Sequence, residues 1–258
     1  MKRILTAAAL IPIVAYVVLL SPQMVFLGVL VLVAFLCYYE YDSIAGAYGF
    51  GAPGPLGYAF GLTLLLWPRD GWFPITMAAL IALAMALRAD DLAKSLPRAS
   101  LLVLGVVYIF GCWRHAIFLR EFQPHWLMFA LLVNWAGDIG AYYVGRTFGK
   151  HLLAPRVSPR KTWEGAGASV VTSAVLGGAY LMKFVEGVTL PQVAAVAVLA
   201  NVAGQMGDLA ESAIKRGAGM KDSGAILPGH GGFLDRVDST LFALPVVFLF
   251  VNWLTPRL

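Results

Sequence analysis

Apolar runs close to the thickness of a bilayer recur along almost the whole chain, and no other feature limits the possible folds so strongly. A transmembrane helix needs about 20 mostly apolar residues. Nine stretches approach or meet that, at roughly 4–20, 24–39, 55–67, 73–88, 100–118, 125–144, 166–184, 191–210 and 239–254. The third is short and glycine-rich, the weakest of the set. Backbone groups in lipid must be satisfied within their own segment, so each run is expected as a helix. The expected fold is all-α, a polytopic transmembrane bundle of about nine spans. Composition agrees, with 60% hydrophobic and 13% charged residues over 258 positions, against about 25% charged in a soluble domain. A single membrane domain is expected, with plain N-terminal helices over 1–130 and C-terminal helices with cytoplasmic loops over 131–258.

Lys2 and Arg3 followed by an apolar run look like a secretory signal. Pro12 interrupts that run, however, and no clean small-residue cleavage site precedes the next run at Val25, so an uncleaved first span is expected. The formal charge of +5 could suggest nucleic acid, but the basic residues lie in loops between apolar runs, a membrane-topology pattern. With the N-terminus placed in the cytoplasm, the outer segments hold only Arg69, Arg120, Lys183 and Arg257 of the 19 Lys and Arg. Arg114 lies within a span, and all others fall on the inner side. The C-terminus is then outside. Cys37 and Cys112 both sit in apolar stretches and read as small buried hydrophobes rather than a disulfide or metal ligands.

Polar residues crowd the C-terminal half. In Asn134–Lys150 (NWAGDIGAYYVGRTFGK), Asp138 lies about two turns from the water-facing end of a span. An ionisable group at that depth is costly and points to function; an ion pair with Arg114 or Arg146 is the bland alternative. In Ser158–Gly165 (SPRKTWEG), a proline-started loop presents Ser158, Arg160, Lys161 and Thr162. Lysine as a point charge and arginine as a fork both suit phosphate, although a lipid-facing basic loop has the same composition.

The richest stretch is Gly207–Ser239, GDLAESAIKRGAGMKDSGAILPGHGGFLDRVDS, expected as one inner loop. On a helix Asp208 and Glu211 share a face, as do Asp235 and Asp238. Two such pairs at the inner ends of neighbouring spans could meet around Mg²⁺, which takes one or two carboxylates and leaves the rest of its shell to phosphates and water. Lys215, Arg216 and Lys221 would face a polyphosphate. Gly231 and Gly232 permit close backbone approach to an anion. His230 suits phosphate contact better than proton transfer, and no second His or Cys lies near it to make a zinc site.

Ser212–Asp238 (SAIKRGAGMKDSGAILPGHGGFLDRVD) resembles the signature of the phosphatidate cytidylyltransferase, or CDP-diglyceride synthetase, family. Ser212, Lys215, Arg216, Lys221, Asp222, Pro228, His230, Gly231, Gly232, Asp235, Arg236 and Asp238 are each of the kind the signature has at that place. SPRKTWEG resembles a second family motif, with Arg160 where a Lys is expected, and Asp138–Lys150 is similar as well. The resemblance covers 134–239; residues 1–130 agree only in being polytopic and of fitting length. It implies a multi-pass enzyme of the bacterial inner membrane, active site facing the cytoplasm. CTP and phosphatidic acid would become CDP-diacylglycerol and pyrophosphate with Mg²⁺, in a homodimer; a K⁺ ion beside the Mg²⁺ fits the same resemblance. On it, Asp208, Asp235 and Asp238 are assigned to metal, with Asp138 and Asp222 as further candidates. Lys161, Lys215, Arg216 and Lys221 are assigned to phosphates, and Arg236 to bridging. Two other readings are a CTP-dependent lipid kinase and, from a different class, a secondary transporter. The latter predicts midplane charges in both halves, whereas the charges here gather at one face of one half.

Overall fold

The computed structural model describes residues 2–68, 71–88, 91–226 and 231–254, and each of the nine apolar stretches is helical in it. In order the helices are α1 (Lys2–Leu19), α2 (Gln23–Ala45), α3 (Pro55–Leu66), α4 (Trp72–Ala84), α5 (Ser95–Gly105), α6 (Cys112–Phe122), α7 (Pro124–Phe148), α8 (Trp163–Phe184), α9 (Leu190–Gly217) and α10 (Asp238–Leu254), the fifth stretch being shared by α5 and α6. A π-helical stretch joins α5 to α6 in one rod, Leu92–Phe122, and another carries α2 on to Phe50. Among the described residues five rods are long and apolar enough to cross a membrane: Gln23–Phe50, Leu92–Phe122, α7, α8 and α9. α1, α3, α4 and α10 are apolar but shorter.

The structure differs from the sequence expectation in three places. First, α9 does not end near 210 but continues to Gly217, because LAESAIKR is built of strong helix formers. The signature therefore begins on a helix rather than in a loop. Second, the fold is not purely α. β1 (Leu152–Ala154) and β2 (Ser158–Thr162) form a small antiparallel hairpin, with Leu152 opposite Thr162 and Ala154 opposite Ser158. Pro155 and Pro159 cannot extend a helix, and a turn closed by the Val157 N–H on the Ala154 carbonyl (3.1 Å) lets the chain pair with itself instead. Third, Asp235 and Asp238 share no helical face, since Asp235 lies on a separate 3₁₀ turn (Leu234–Arg236) and α10 begins at Asp238.

The chain divides into two compact units. The first comprises Met1–Phe26, His115–Ala213 and Val237–Leu258. Within it α7 and α8 approach closely through small residues, the usual solution where helices pack without a hydrophobic driving force. A β-carbon on Gly140 would lie 3.0 Å from the Ala168 carbonyl, and one on Gly165 would lie 3.0 Å from that of Ala141. Buried Arg120 ties down the α1–α2 turn, donating to the Val18 carbonyl at 2.9 Å and to the Ser21 carbonyl at 2.5 Å.

The second unit comprises Leu27–Arg114 and Ile214–Arg236. Its core gathers Leu64, Ala82, Ala99, Leu102 and Val106. Tyr41 of α2 donates its hydroxyl to the Leu101 carbonyl at 2.8 Å, and Arg114 donates to the Leu64 carbonyl at 2.6 Å. Cys37 is fully buried and Cys112 half-buried, as their apolar settings suggested.

Candidate active site

In the first unit, one face of α7 carries Asn134, Asp138, Ala141, Tyr142, Gly145 and Arg146 at helical spacing, and all six line a cavity of about 560 Å³. The hairpin adds Leu153, Arg160, Lys161 and Thr162. The first two turns of α8 contribute Gly165, Ala166 and Ser169, α9 contributes Asn201, Gln205 and Asp208, and Ser239 comes from the start of α10. The volume is that of a typical small-molecule site.

A hydrogen-bonded network of buried side chains, entered from half-buried Gln205, forms part of its wall. Gln205 donates to Asn201 Oδ1 at 2.7 Å, and Asn201 Nδ2 donates to Ser169 Oγ at 3.0 Å and Ser173 Oγ at 2.8 Å. The Ser173 hydroxyl in turn donates to the Val133 carbonyl at 2.6 Å. Buried polar groups persist only when so partnered, and a network of this kind holds a wall rigid. Gly137 leaves room for it, since a β-carbon there would lie 2.5 Å from Ser169 Oγ and 2.8 Å from Ser173 Oγ.

The mouth is charged. Lys161 Nζ lies 2.6 Å from Asp208 Oδ2, with both side chains partly exposed. Ser212, one turn further along α9, sits 3.4 Å from Asp208 Oδ1. Arg146 donates to the Tyr142 hydroxyl at 2.8 Å and lies over that ring. Thr162 caps α8 by accepting from the Gly165 N–H at 3.2 Å, so the positive end of a 22-residue helix also reaches the cavity. Ser158 stands at the start of β2, half-buried, while Arg160 is exposed. The lining thus carries three cationic side chains, Arg146, Arg160 and Lys161, and two carboxylates, Asp138 and Asp208. That balance has the charges to suit a polyanion together with a cation.

Other predicted residues are placed differently. Asp238 is buried at the first turn of α10, where its carboxylate accepts from the Ser239 N–H at 2.6 Å. Its backbone carbonyl would lie 2.7 Å from a β-carbon on Gly207. Glu211, predicted to share a face with Asp208, is buried at 2% exposure and does not line the cavity.

The rest of the signature belongs to the second unit. There Lys215 is buried and paired with Asp235 Oδ1. Asp235 Oδ2 accepts from the Gly232 N–H at 2.8 Å and the Ser223 N–H at 3.0 Å. Burial works to raise the Asp235 carboxyl, but the Lys215 ammonium and the two backbone donors outweigh it and hold the group below the usual carboxylate range. Gly231 adopts φ +78°, a left-handed conformation that favours glycine. Arg216, Lys221, Asp222 and Arg236 are exposed, and Arg216 donates to the Met220 carbonyl at 3.1 Å. His230 and Pro228 lie outside the described residues.

No group of three or more His, Cys, Asp or Glu side chains converges among the described residues. A structural zinc site or an all-protein calcium cage would need such a group. Mg²⁺ does not, since one or two carboxylates suffice when substrate phosphates complete its shell. Asp138 and Asp208 on one cavity are a donor set of that kind.

Several cavity residues were not singled out from the sequence. Asn201 and Gln205 recur at i and i+4 ahead of the predicted Asp208 at i+7 on an otherwise apolar helix, a visible signal that the wall is polar. Glu40 is the other omission: it stands near the end of an apolar run and is buried at 1% exposure.

Comparison with known proteins gives a consistent picture. A family model described as "Cytidylyltransferase family" matches residues 1–254. The chain is 32% identical over 254 residues to a protein of Staphylococcus saprophyticus named phosphatidate cytidylyltransferase, covering 95% of this chain and 97% of that one. Proteins of the same name from Bacillus subtilis and Staphylococcus haemolyticus are 38% identical over 178 residues and 35% over 196. The first match covers 66% of this chain and 65% of the relative, the second 73% and 75%.

Proposed function

Because the chain belongs to the cytidylyltransferase family, we propose that it transfers the cytidylyl group of CTP to phosphatidic acid, forming CDP-diacylglycerol and pyrophosphate in phospholipid synthesis. The observation that carries this is a cavity with Arg146, Arg160 and Lys161 set against Asp138 and Asp208, in a chain similar over nearly its whole length to a phosphatidate cytidylyltransferase.

An ionised phosphate oxygen of the lipid attacks the α-phosphorus of CTP. The bond from that phosphorus to the bridging oxygen breaks, and pyrophosphate carries away the electron pair. The attacking oxygen bears no proton at neutral pH, so no general base is needed. The protein's task is to hold two polyanions in line and offset their repulsion. Lys161, Arg160 and Arg146 serve the phosphates. Asp138 and Asp208 would hold Mg²⁺, with Asp238 a further candidate in the same unit; the chemistry it would supply there is neutralisation of charge on the triphosphate. A K⁺ ion beside it remains part of the proposal. Asp235 accepts from Lys215 and two backbone donors, so it holds that lysine, which with Arg216 and Lys221 meets phosphate, and it stays a candidate metal ligand as well.

The proposal extends to nine spans with the N-terminus in the cytoplasm, a site open to cytosolic CTP at the inner leaflet of a bacterial inner membrane, and a homodimer. Nucleic acid has no part in it. The test is incubation of purified protein with phosphatidic acid, Mg²⁺ and CTP labelled at the α-phosphate or at the γ-phosphate. Cytidylyl transfer puts only the α label into extracted lipid. Lipid labelled only from the γ position would show a kinase instead.

A further inference from the structure

We infer that Glu40 of α2 is a positioning residue for cytidylyl transfer, setting the orientation of Lys215 through hydrogen bonds that run by way of Ser223 and Asp235. The inference rests on the function proposed above. Glu40 and Ser223 are each buried at 1% exposure. The carboxylate accepts from three donors on the signature segment: the Ser223 hydroxyl at 2.6 Å, the Phe233 N–H at 2.8 Å and the Leu234 N–H at 2.8 Å. Ser223 Oγ in turn accepts from the Asp235 N–H at 3.3 Å, and the Ser223 N–H donates to Asp235 Oδ2 at 3.0 Å. Asp235 Oδ1 then takes the Lys215 ammonium. The path from an apolar helix to a phosphate-binding lysine is therefore continuous, and every member lies in the second unit.

Two glycines of the signature segment answer to the same carboxylate. A β-carbon on Gly224 would stand 2.5 Å from Glu40 Oε1 and 2.8 Å from its Cδ. One on Gly232 would collide with Ser223 Oγ and Glu40 Oε2. The backbone approaches Glu40 more closely than any side chain would allow. Three converging donors also demand a group that only accepts, and ionised Glu is such a group whereas Gln is not. Glu40→Gln keeps the volume but turns an NH₂ toward N–H and O–H donors, so the segment must shift and Asp235 with it.

A purely architectural Glu40 and a positioning Glu40 differ in how their loss combines with loss of Lys215. Initial rates of CDP-lipid formation are measured for the parent, Glu40→Gln, Lys215→Met and the double variant in detergent micelles. If Glu40 acts through Lys215, Glu40→Gln lowers kcat/KM for CTP by about tenfold or more in the parent, but lowers it by less than about threefold in a chain that already carries Lys215→Met, because the function it supports is then gone. Full multiplicative losses in the double variant, or Glu40→Gln within about threefold of the parent, overturn the inference. Should Glu40→Gln fail to fold, Ser223→Ala takes its place, since it cuts the chain midway and leaves Glu40 its two backbone donors; the same non-additivity with Lys215→Met is expected and full additivity overturns. A parent that makes no CDP-lipid would instead refute the proposed function itself, which keeps the two failures distinct.

Discussion

Lys161 and Asp208 offer the sharpest test of how the cavity works, because their contact has two different explanations with different magnitudes. At 2.6 Å, with side chains 26% and 33% exposed, they form a partly solvated ion pair. Such pairs contribute about 0.2–1 kcal/mol to stability. If that were their whole role, Lys161→Met or Asp208→Asn would lower the melting temperature by a few degrees at most, roughly 2–4 °C per kcal/mol for a chain of this size. Activity would stay within about fivefold, and the double variant would be close to the parent. If Lys161 instead meets phosphate and Asp208 meets the cation, each loses an interaction aimed at reacting charge. Losses of that kind cost about 10²–10³ in kcat, or about 3–4 kcal/mol. The expected result is a small shift in melting temperature, a loss of at least about a hundredfold in CDP-lipid formation for each single variant, and no recovery in the double. Radiolabelled CTP with phosphatidic acid micelles supplies the assay. Recovery in the double variant to within about fivefold of the parent would refute separate substrate roles.

Gly137→Ala should destabilise the protein by about 1–3 kcal/mol, as overpacking does, because its methyl would strike Ser169 and Ser173; an unchanged melting temperature in detergent would count against the network. Chelation of divalent ions should abolish CDP-lipid formation and Mg²⁺ should restore it, whereas turnover in excess chelator would exclude the assigned role of Asp138 and Asp208. Asp235 predicts an acid limb: its folded pKa lies below the unfolded value near 3.9, so its contribution is complete above that value and is lost as pH falls through the folded one. Unfolding measured from about pH 5 to 2 should show a shallower acid loss in Asp235→Asn, and an identical slope would contradict the assignment. A cysteine placed at Arg156, in the hairpin turn, should react with an impermeant thiol reagent only from the cytoplasmic side; labelling from the other side would invert the proposed topology.

The helical architecture was legible because apolar run length is a property of one segment at a time. The basic hairpin strand was legible for the same reason, since Arg160, Lys161 and Thr162 are neighbours in sequence and also line one cavity. What escaped depended on distant partners. Glu40 carries no local mark of its role, because its three donors lie far along the chain. The hairpin at 152–162 was missed because β1 has only three residues, too few for alternation to register. The shared face expected of Asp235 and Asp238 rested on spacing alone, and the break after Arg236 leaves Asp235 on a 3₁₀ turn beside Lys215 and Asp238 at the start of α10. Spacing predicts a shared face only where the helix is unbroken.

The separation of 183 positions between Glu40 and Ser223 also bears on how the protein is made. At about 5–20 residues per second, a ribosome needs roughly 10–40 s to synthesise the stretch between them. During that interval α2 has left the ribosome while every donor to its glutamate is still untranslated, so water or the insertion machinery must solvate the carboxylate until the C-terminal segment arrives to enclose it.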